Sequence, residues 1–206
     1  MTNDTTHEPC LLQEPEYIPA QAVDNRDFDR THTDRFSPEY TAVSSITQMS
    51  HYHVNMAAFL KLAEWFDFLR QQQVYDHTRI ILVSDHGWNL NQMGLIRSGD
   101  AVMDKTCYHP LLMYKDFGSS QPLQTDTAFM TNADTPSLAA SGLIPPINPF
   151  TGNPLDTSAS HRRITVIGRA GWDVGENNGN VLTQDHWYSV HDNIFVPENW
   201  EYVGIQ

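Results

Sequence analysis

The stretch VYDHTRIILVSDHGWN (Val74 to Asn89) decides how this chain is read. Its centre, RIILVS (Arg79 to Ser84), is a short, continuously apolar, β-branched run, which predicts a strand covered on both faces. SDHG (Ser84 to Gly87) follows directly, so Asp85 and His86 fall at the carboxyl end of that strand. In open α/β sheets this is where functional groups gather. Neighbouring side chains on a regular strand point to opposite faces, so for Asp85 and His86 to share a ligand the chain must leave strand geometry there. Gly87 makes such a turn cheap. A hard carboxylate beside a borderline imidazole suits Zn, Mn or a similar divalent cation. For the dipeptide alone, a polar strand end facing solvent is the commoner explanation.

Upstream, Met56, Phe59, Leu60, Ala63, Phe66 and Leu69 recur at gaps of three and four. They predict an amphipathic helix over 50–73, ended by Asp76 and His77. Residues 1–45 are polar, rich in Asp, Thr and Pro, and read as long loops, with Asn25 to Phe36 the most exposed part. Downstream, a loop of about 20 residues containing Gly87, Gly94 and Gly99 is long enough to be functional or mobile. PLLMYK (Pro110 to Lys115) predicts a second buried strand. DTPSLAASGL (Asp134 to Leu143) predicts a helix capped by Asp134, with Pro136 in its first turn and Gly142 at its close. Pro145 to Pro154 is irregular, and Arg162 to Gly168, Thr183 to Val190 and Asn193 to Pro197 read as strands, the last two forming a hairpin about His191 and Asp192. Helix and parallel-type strands lead and antiparallel strands trail, which points to an α/β class.

The 206 residues carry 12 basic and 25 acidic side chains, a formal charge of −13. That balance disfavours nucleic acid and anionic membrane surfaces, which select for basic patches. No apolar run approaches the ~20 residues that span a bilayer, and no basic-then-apolar start marks a signal peptide. The opening TNDTTHEP reads like the interior of a domain. Cys10 and Cys107 can pair or stay free, and neither lies in a CxxC arrangement.

The order of helix, Asp76, Thr78, ILV strand and Asp85-His86-Gly87 resembles the sulfatase and alkaline phosphatase superfamily, where a similar stretch runs from a turn into a strand ending in SDHG. CYHPLLMYKDFG (Cys107 to Gly118) resembles that family's next core strand, and FMTNADTPSLAASGL (Phe129 to Leu143) its D-x-P-T-L helix. TNDTTHEP (Thr2 to Pro9) resembles the strand-end segment whose histidine lies beside the substrate's phosphate or sulfate, with His7 at the matching position. The nearest flavour is the membrane-anchored bacterial type, related to lipoteichoic acid synthase and phosphoethanolamine transferases. The likeness covers roughly residues 1–145.

It implies a partial alkaline-phosphatase-like three-layer sandwich with a C-terminal antiparallel β subdomain. It further implies Asp85 and His86 as ligands of a divalent metal, and His7 as the contact to the transferring group. The implied substrate is a phosphate or sulfate ester of a cell-surface glycan or lipid, and the implied location is extracytoplasmic. The chain departs from the pattern in two ways: the first acidic ligand and the Ser, Thr or Cys nucleophile lie upstream of the histidine segment in the family. Cys10 and Cys107 lack the C-x-P-S-R context, and Thr5 and Thr6 stand where the family has no nucleophile. The expectation is a C-terminal portion that needs the upstream part of the same polypeptide, holds metal weakly and is catalytically silent alone. The rivals are a non-catalytic saccharide-binding module, using the aromatic set Trp172, Trp187, Tyr188, Trp200 and Tyr202, and a structural domain of a cell-surface protein.

The remaining histidines read as structural or surface residues. His51 and His53, two apart on a helix, share no face and suggest a solvated helix end. His109 suggests a hydrogen-bonded role at a strand entry, and His186 and His191 hairpin surface. Lys105 and Lys115 are noted because sulfatases use a lysine near sulfate.

Overall fold

The computed structural model describes residues 2–36, 43–98, 101–142, 146–148, 151–154, 163–168 and 186–205. Trp172, the Gly99 position and the start of the Thr183 to Val190 run lie outside the described residues. Helix and strand are both present, and the chain divides into two compact units, Met1–Thr78 and Arg79–Gln206.

The first unit is built on α2 (Ile46–Gln71), with a short α1 (Arg26–Thr31) before it. The helix begins four residues earlier than the apolar spacing predicts, because Ser45 is its N-cap and accepts the Gln48 N–H, an S-x-x-Q start. It ends in a Schellman arrangement: Gln73 sits at φ 59°, the Val74 N–H reaches the Leu69 carbonyl and the Gln73 N–H reaches Arg70. Asp76 and His77 instead belong to a 3-10 turn, Tyr75–His77, just beyond.

The expected apolar stripe is only half a core face. Leu69 is buried and Met56 packs on the core of Leu12, Tyr17 and Val54, whereas Phe59 and Leu60 stay exposed. What α2 buries at its N-terminal half is largely polar: Gln48, Ser50, His51 and His53. His51 and His53 are thus core residues, at 5% and 1% exposure, and not a solvated helix end.

Within the polar stretch 1–45, the described residues 2–36 are also more ordered than a loop reading predicts. Asn25 braces it, donating to the Leu12 carbonyl and accepting from the Glu14 N–H and Gln13 Nε2. The 3-10 turn Thr33–Phe36 brings Arg35 onto Glu14, whose side chain is fully buried. Arg35 donates to both Glu14 oxygens at 2.7 and 3.1 Å and also pairs with Asp29, its guanidinium lying over Phe28 and Phe36. His53 completes the group. Its Nδ1 accepts the Leu12 N–H at 2.9 Å, so the ring is neutral with its proton on Nε2, 3.4 Å from Glu14. Burial, ahead of Glu14's opposing charge, holds its pKa below the ordinary imidazole value.

Among the described residues, the second unit has seven strands in three small sheets: β1 (Ile80–Val83) with β4 (Leu112–Lys115), β2 (Leu95–Ser98) with β3 (Ala101–Asp104), and β5 (Arg163–Ile167), β6 (His186–His191) and β7 (Trp200–Ile205) in that order. Every one of these pairings is antiparallel, including that of the two leading apolar strands, Ile80 opposite Lys115 and Val83 opposite Leu112. A continuous apolar run states that a strand is apolar, not which way its neighbour runs. Nor is β1 covered on both faces among the described residues, since Val83 is 43% exposed. The hairpin β2–β3 interrupts the predicted 20-residue loop.

The trailing strands are antiparallel as expected, with one correction. The partner of β6 is Trp200–Ile205, and Asn193 to Pro197 forms the connection, anchored where Trp200 Nε1 donates to the Ile194 carbonyl. Asp192, at φ 55°, turns the chain out of β6. One face of this sheet is core: Tyr188 packs with Ile96 and Met103, backed by Val166, Trp200 and Tyr108. Tyr188, only 1% exposed, and Trp200 are therefore packing residues.

Candidate metal-binding site

β1 ends at Val83, and the chain leaves strand geometry before Asp85, as two adjacent side chains require if they are to converge. Ser84 makes the exit: its N–H donates to the Leu111 carbonyl and its hydroxyl accepts the Leu111 N–H. From there the loop zips against the segment after β3. The Gly87 N–H donates to the Cys107 carbonyl, Cys107 Sγ lies 2.8 Å from Asn89 Oδ1, and the Asp104 carboxylate accepts N–H groups from Asn91 and Thr106. Gly87 is required for close approach, not for turning. A Cβ there would stand 1.8 Å from the Thr106 carbonyl oxygen, while its φ is not left-handed.

This route brings Asp85 and His86 together. The carboxylate accepts the His86 N–H through Oδ1 (2.9 Å) and leaves Oδ2 3.5 Å from His86 Nε2. His86 Nδ1 lies 2.6 Å from the Gly87 carbonyl. A carbonyl only accepts, so Nδ1 carries a proton; with Nε2 also protonated the pair is an imidazolium–carboxylate ion pair, and with Nε2 bare it and Oδ2 are both acceptors. Two acceptors facing each other in this way call for a cation between them, a proton or a metal. Donors in a tetrahedral site with bonds of about 2.0–2.2 Å lie about 3.3–3.6 Å apart, so the pair fits one edge of a zinc-like polyhedron. A backbone carbonyl orienting the far nitrogen is the usual support of a ligating histidine. The side chains are 87% and 56% exposed, so a cation could reach them. Among the described residues, no three His, Cys, Asp or Glu side chains group closely enough to hold a metal ion.

His7 belongs to the first unit, in a turn closed by its own N–H to the Asp4 carbonyl. It is exposed, with Nδ1 3.3 Å from Glu8 Oε1. Lys105 is buried and donates to the Phe195 carbonyl, and Lys115 donates to the Asp116 carbonyl, both structural contacts. His109 packs edge-on to Phe195, His186 Nδ1 meets the Tyr202 hydroxyl and His191 pairs with Asp192. Cys10 and Cys107 are free thiols.

One contributor was missed from sequence. Asn132 Nδ2 donates to the Asp85 carbonyl at 2.7 Å from 47 residues away. The helix start nearby also differs in detail. Asp134 is the residue before α3 (Thr135–Ala139), yet its carboxylate turns back to the Thr131 N–H while Thr131 caps Ala133. The box T-N-A-D thus caps the preceding 3-10 turn, Asn132–Asp134, and that T-x-x-D spacing was the available signal.

No protein-family model, curated protein or solved structure matches the chain. No helix among the described residues is long and apolar enough to cross a membrane.

Proposed function

We propose that Asp85 and His86 are two ligands of a divalent cation, Zn or Mn by donor chemistry, in a metal-dependent hydrolase or phosphotransferase acting on phosphate or sulfate esters of a cell-surface glycan or lipid. The observation that carries the reading is the 3.5 Å approach of Asp85 Oδ2 to a His86 Nε2 whose other nitrogen is engaged by the Gly87 carbonyl. Support for the class comes from the sequence resemblance, which also assigns His7 to the ester's oxygens. The finer architecture, an alkaline-phosphatase-like three-layer sandwich to which these small sheets contribute, belongs to the same proposal.

When bound, the cation would take up negative charge on the transferring group and activate a nucleophile. This chain's own residues do the rest. Asp85 supplies the hard anionic donor, His86 the borderline one, and the Gly87 carbonyl fixes the histidine's tautomer. The nucleophile and a further acidic ligand come from the upstream part of the same polypeptide, in an extracytoplasmic, cell-surface protein. Two donors alone give weak binding, because catalytic sites use about three.

The test is a Zn²⁺ or Mn²⁺ titration of the full chain, read at the histidine ring nitrogens by NMR. His86 should respond at millimolar metal, and Asp85→Ala should abolish that response. Silence at His86 up to tens of millimolar, or an Asp85→Ala chain that titrates like the parent, would overturn the reading.

A further inference from the structure

From the way α3 lies on β1, we infer that Asn132 is a positioning residue for the Asp85–His86 pair, working through the Asp85 carbonyl. This rests on the proposed metal site but makes a separate claim about this chain's own geometry.

The segment Asn132–Ala139 packs along β1 and is tied to it at both ends. At the start of β1, Arg79 Nη1 donates to the Ala139 and Ser141 carbonyls at 2.8 and 2.6 Å, while its Nε and Nη2 donate to Asp116. One guanidinium thus satisfies the carbonyl of the last residue of α3 and that of Ser141 just beyond it, and holds them beside the start of the strand. Beyond the far end of β1, Asn132 Nδ2 holds the Asp85 carbonyl. Helix and strand run in opposite directions, and the two ties fix where Asp85 stands once the chain has left the sheet. The capping box between Thr131 and Asp134, whose carboxylate is buried, sets the backbone that carries Asn132.

The remaining polar atom of Asn132 sharpens the argument. Its Oδ1 is buried and has no hydrogen-bond partner among the described residues. A buried acceptor left bare is costly, and an apolar side chain of the same shape would avoid that cost. Stability alone does not favour an amide here; holding the Asp85 carbonyl does. The bare acceptor falls beside the Asp85–His86 pair, and departures from local satisfaction are expected at functional sites. Asp85 Oδ1 accepts the His86 N–H, and His86 Nδ1 meets the Gly87 carbonyl, so a shift of the Asp85 peptide moves both donor atoms.

The experiment compares wild type with Asn132→Ala and Asn132→Leu, the second variant guarding against a packing defect, with thermal melts confirming that each chain folds. Two readouts are taken by NMR at the histidine rings: the tautomer of His86 without metal, and its Zn²⁺ dissociation constant, with buried His53 as the internal reference. In wild type the proton is expected on Nδ1. Both variants are expected to show a tautomer mixture and a roughly tenfold weaker zinc response, the size of effect known for groups that orient ligands. If wild type binds zinc and both variants keep its tautomer and affinity, the role of Asn132 is overturned while the metal reading stands. If no chain responds to zinc but the variants lose the Nδ1 tautomer, the metal reading falls and the positioning role survives. If no chain responds to zinc and the variants keep the wild-type tautomer, both fall.

Discussion

Removing the carboxylate of Glu14 tests whether the first unit is held by a polar core. The side chain is fully buried and takes two hydrogen bonds from Arg35, itself only 13% exposed, with His53 Nε2 3.4 Å away. In Glu14→Ala the guanidinium keeps Asp29 but loses its buried partner. Breaking a buried pair from one side costs about 3–5 kcal/mol, and the surviving Asp29 contact places the expectation at the lower end, about 3 kcal/mol. A unit running from Met1 to Thr78 falls in the size class where each kcal/mol moves the melting temperature by about 4–8 °C, so the drop should be about 12–24 °C.

The assay is thermal unfolding followed by circular dichroism at 222 nm, a wavelength dominated by α2. The double variant Glu14→Leu/Arg35→Met completes the case. Replacing both partners by apolar groups of similar volume leaves no uncompensated charge, so it should recover most of the loss. A Glu14→Ala chain melting within a few degrees of wild type would refute the reasoning, as would a double variant no better than the single.

The buried His53 gives a pH dependence with a definite sign. Its folded-state pKa lies below the ordinary 6.5, burial being the larger cause, so the unfolded chain takes up the proton first as pH falls. The stability it contributes is present above about 6.5 and lost as pH drops below that value. Urea midpoints for wild type and His53→Asn, measured across that range, should converge at low pH; parallel curves would contradict the assignment. His51, whose pKa burial also lowers, is common to both chains and cancels. In the second unit, Gly87→Ala forces a Cβ against the Thr106 carbonyl and strains the Gly87–Cys107 hydrogen bond. We expect a loss of about 2–4 kcal/mol of stability, read as a lower urea midpoint, and a changed His86 tautomer; an unchanged midpoint would mean the loop does not run against residues 106–107.

What could be read in advance was what short-range pattern controls. The strand at Ile80–Val83, its exit at Ser84, the long helix and the antiparallel trailing strands all follow from spacing within about ten residues. The helix start at Ser45 was equally legible, since the S-x-x-Q signal is local, but apolar periodicity outweighed it. The face that α2 buries was not legible. His53 and Gln48 are polar residues that a periodicity argument sends to solvent; His53 is buried because Leu12 and Glu14, about 40 residues away, supply partners, whereas the N–H that Gln48 accepts comes from Ser44, four residues back. The same reason hid strand direction in β1–β4 and the hand of Asn132 on Asp85. Each depends on a partner about 30 to 47 residues away, beyond any local pattern.

The exposure of the proposed ligands carries a further consequence. Asp85 and His86 lie largely in water, so a cation meeting them gives up little protein desolvation but also displaces only part of its own hydration. Two donors on one polyhedral edge cannot by themselves make a tight site, however well they are aligned. What the local structure does supply is alignment made before binding: Gly87 held against residues 106–107, Ser84 locked to Leu111, and Asn132 on the Asp85 carbonyl. Such bracing is out of proportion to a solvent-facing strand end, which needs no fixed side-chain geometry. On the proposed reading it would serve a half-site whose remaining donors arrive from elsewhere, because each added ligand would bind without the cost of ordering these two.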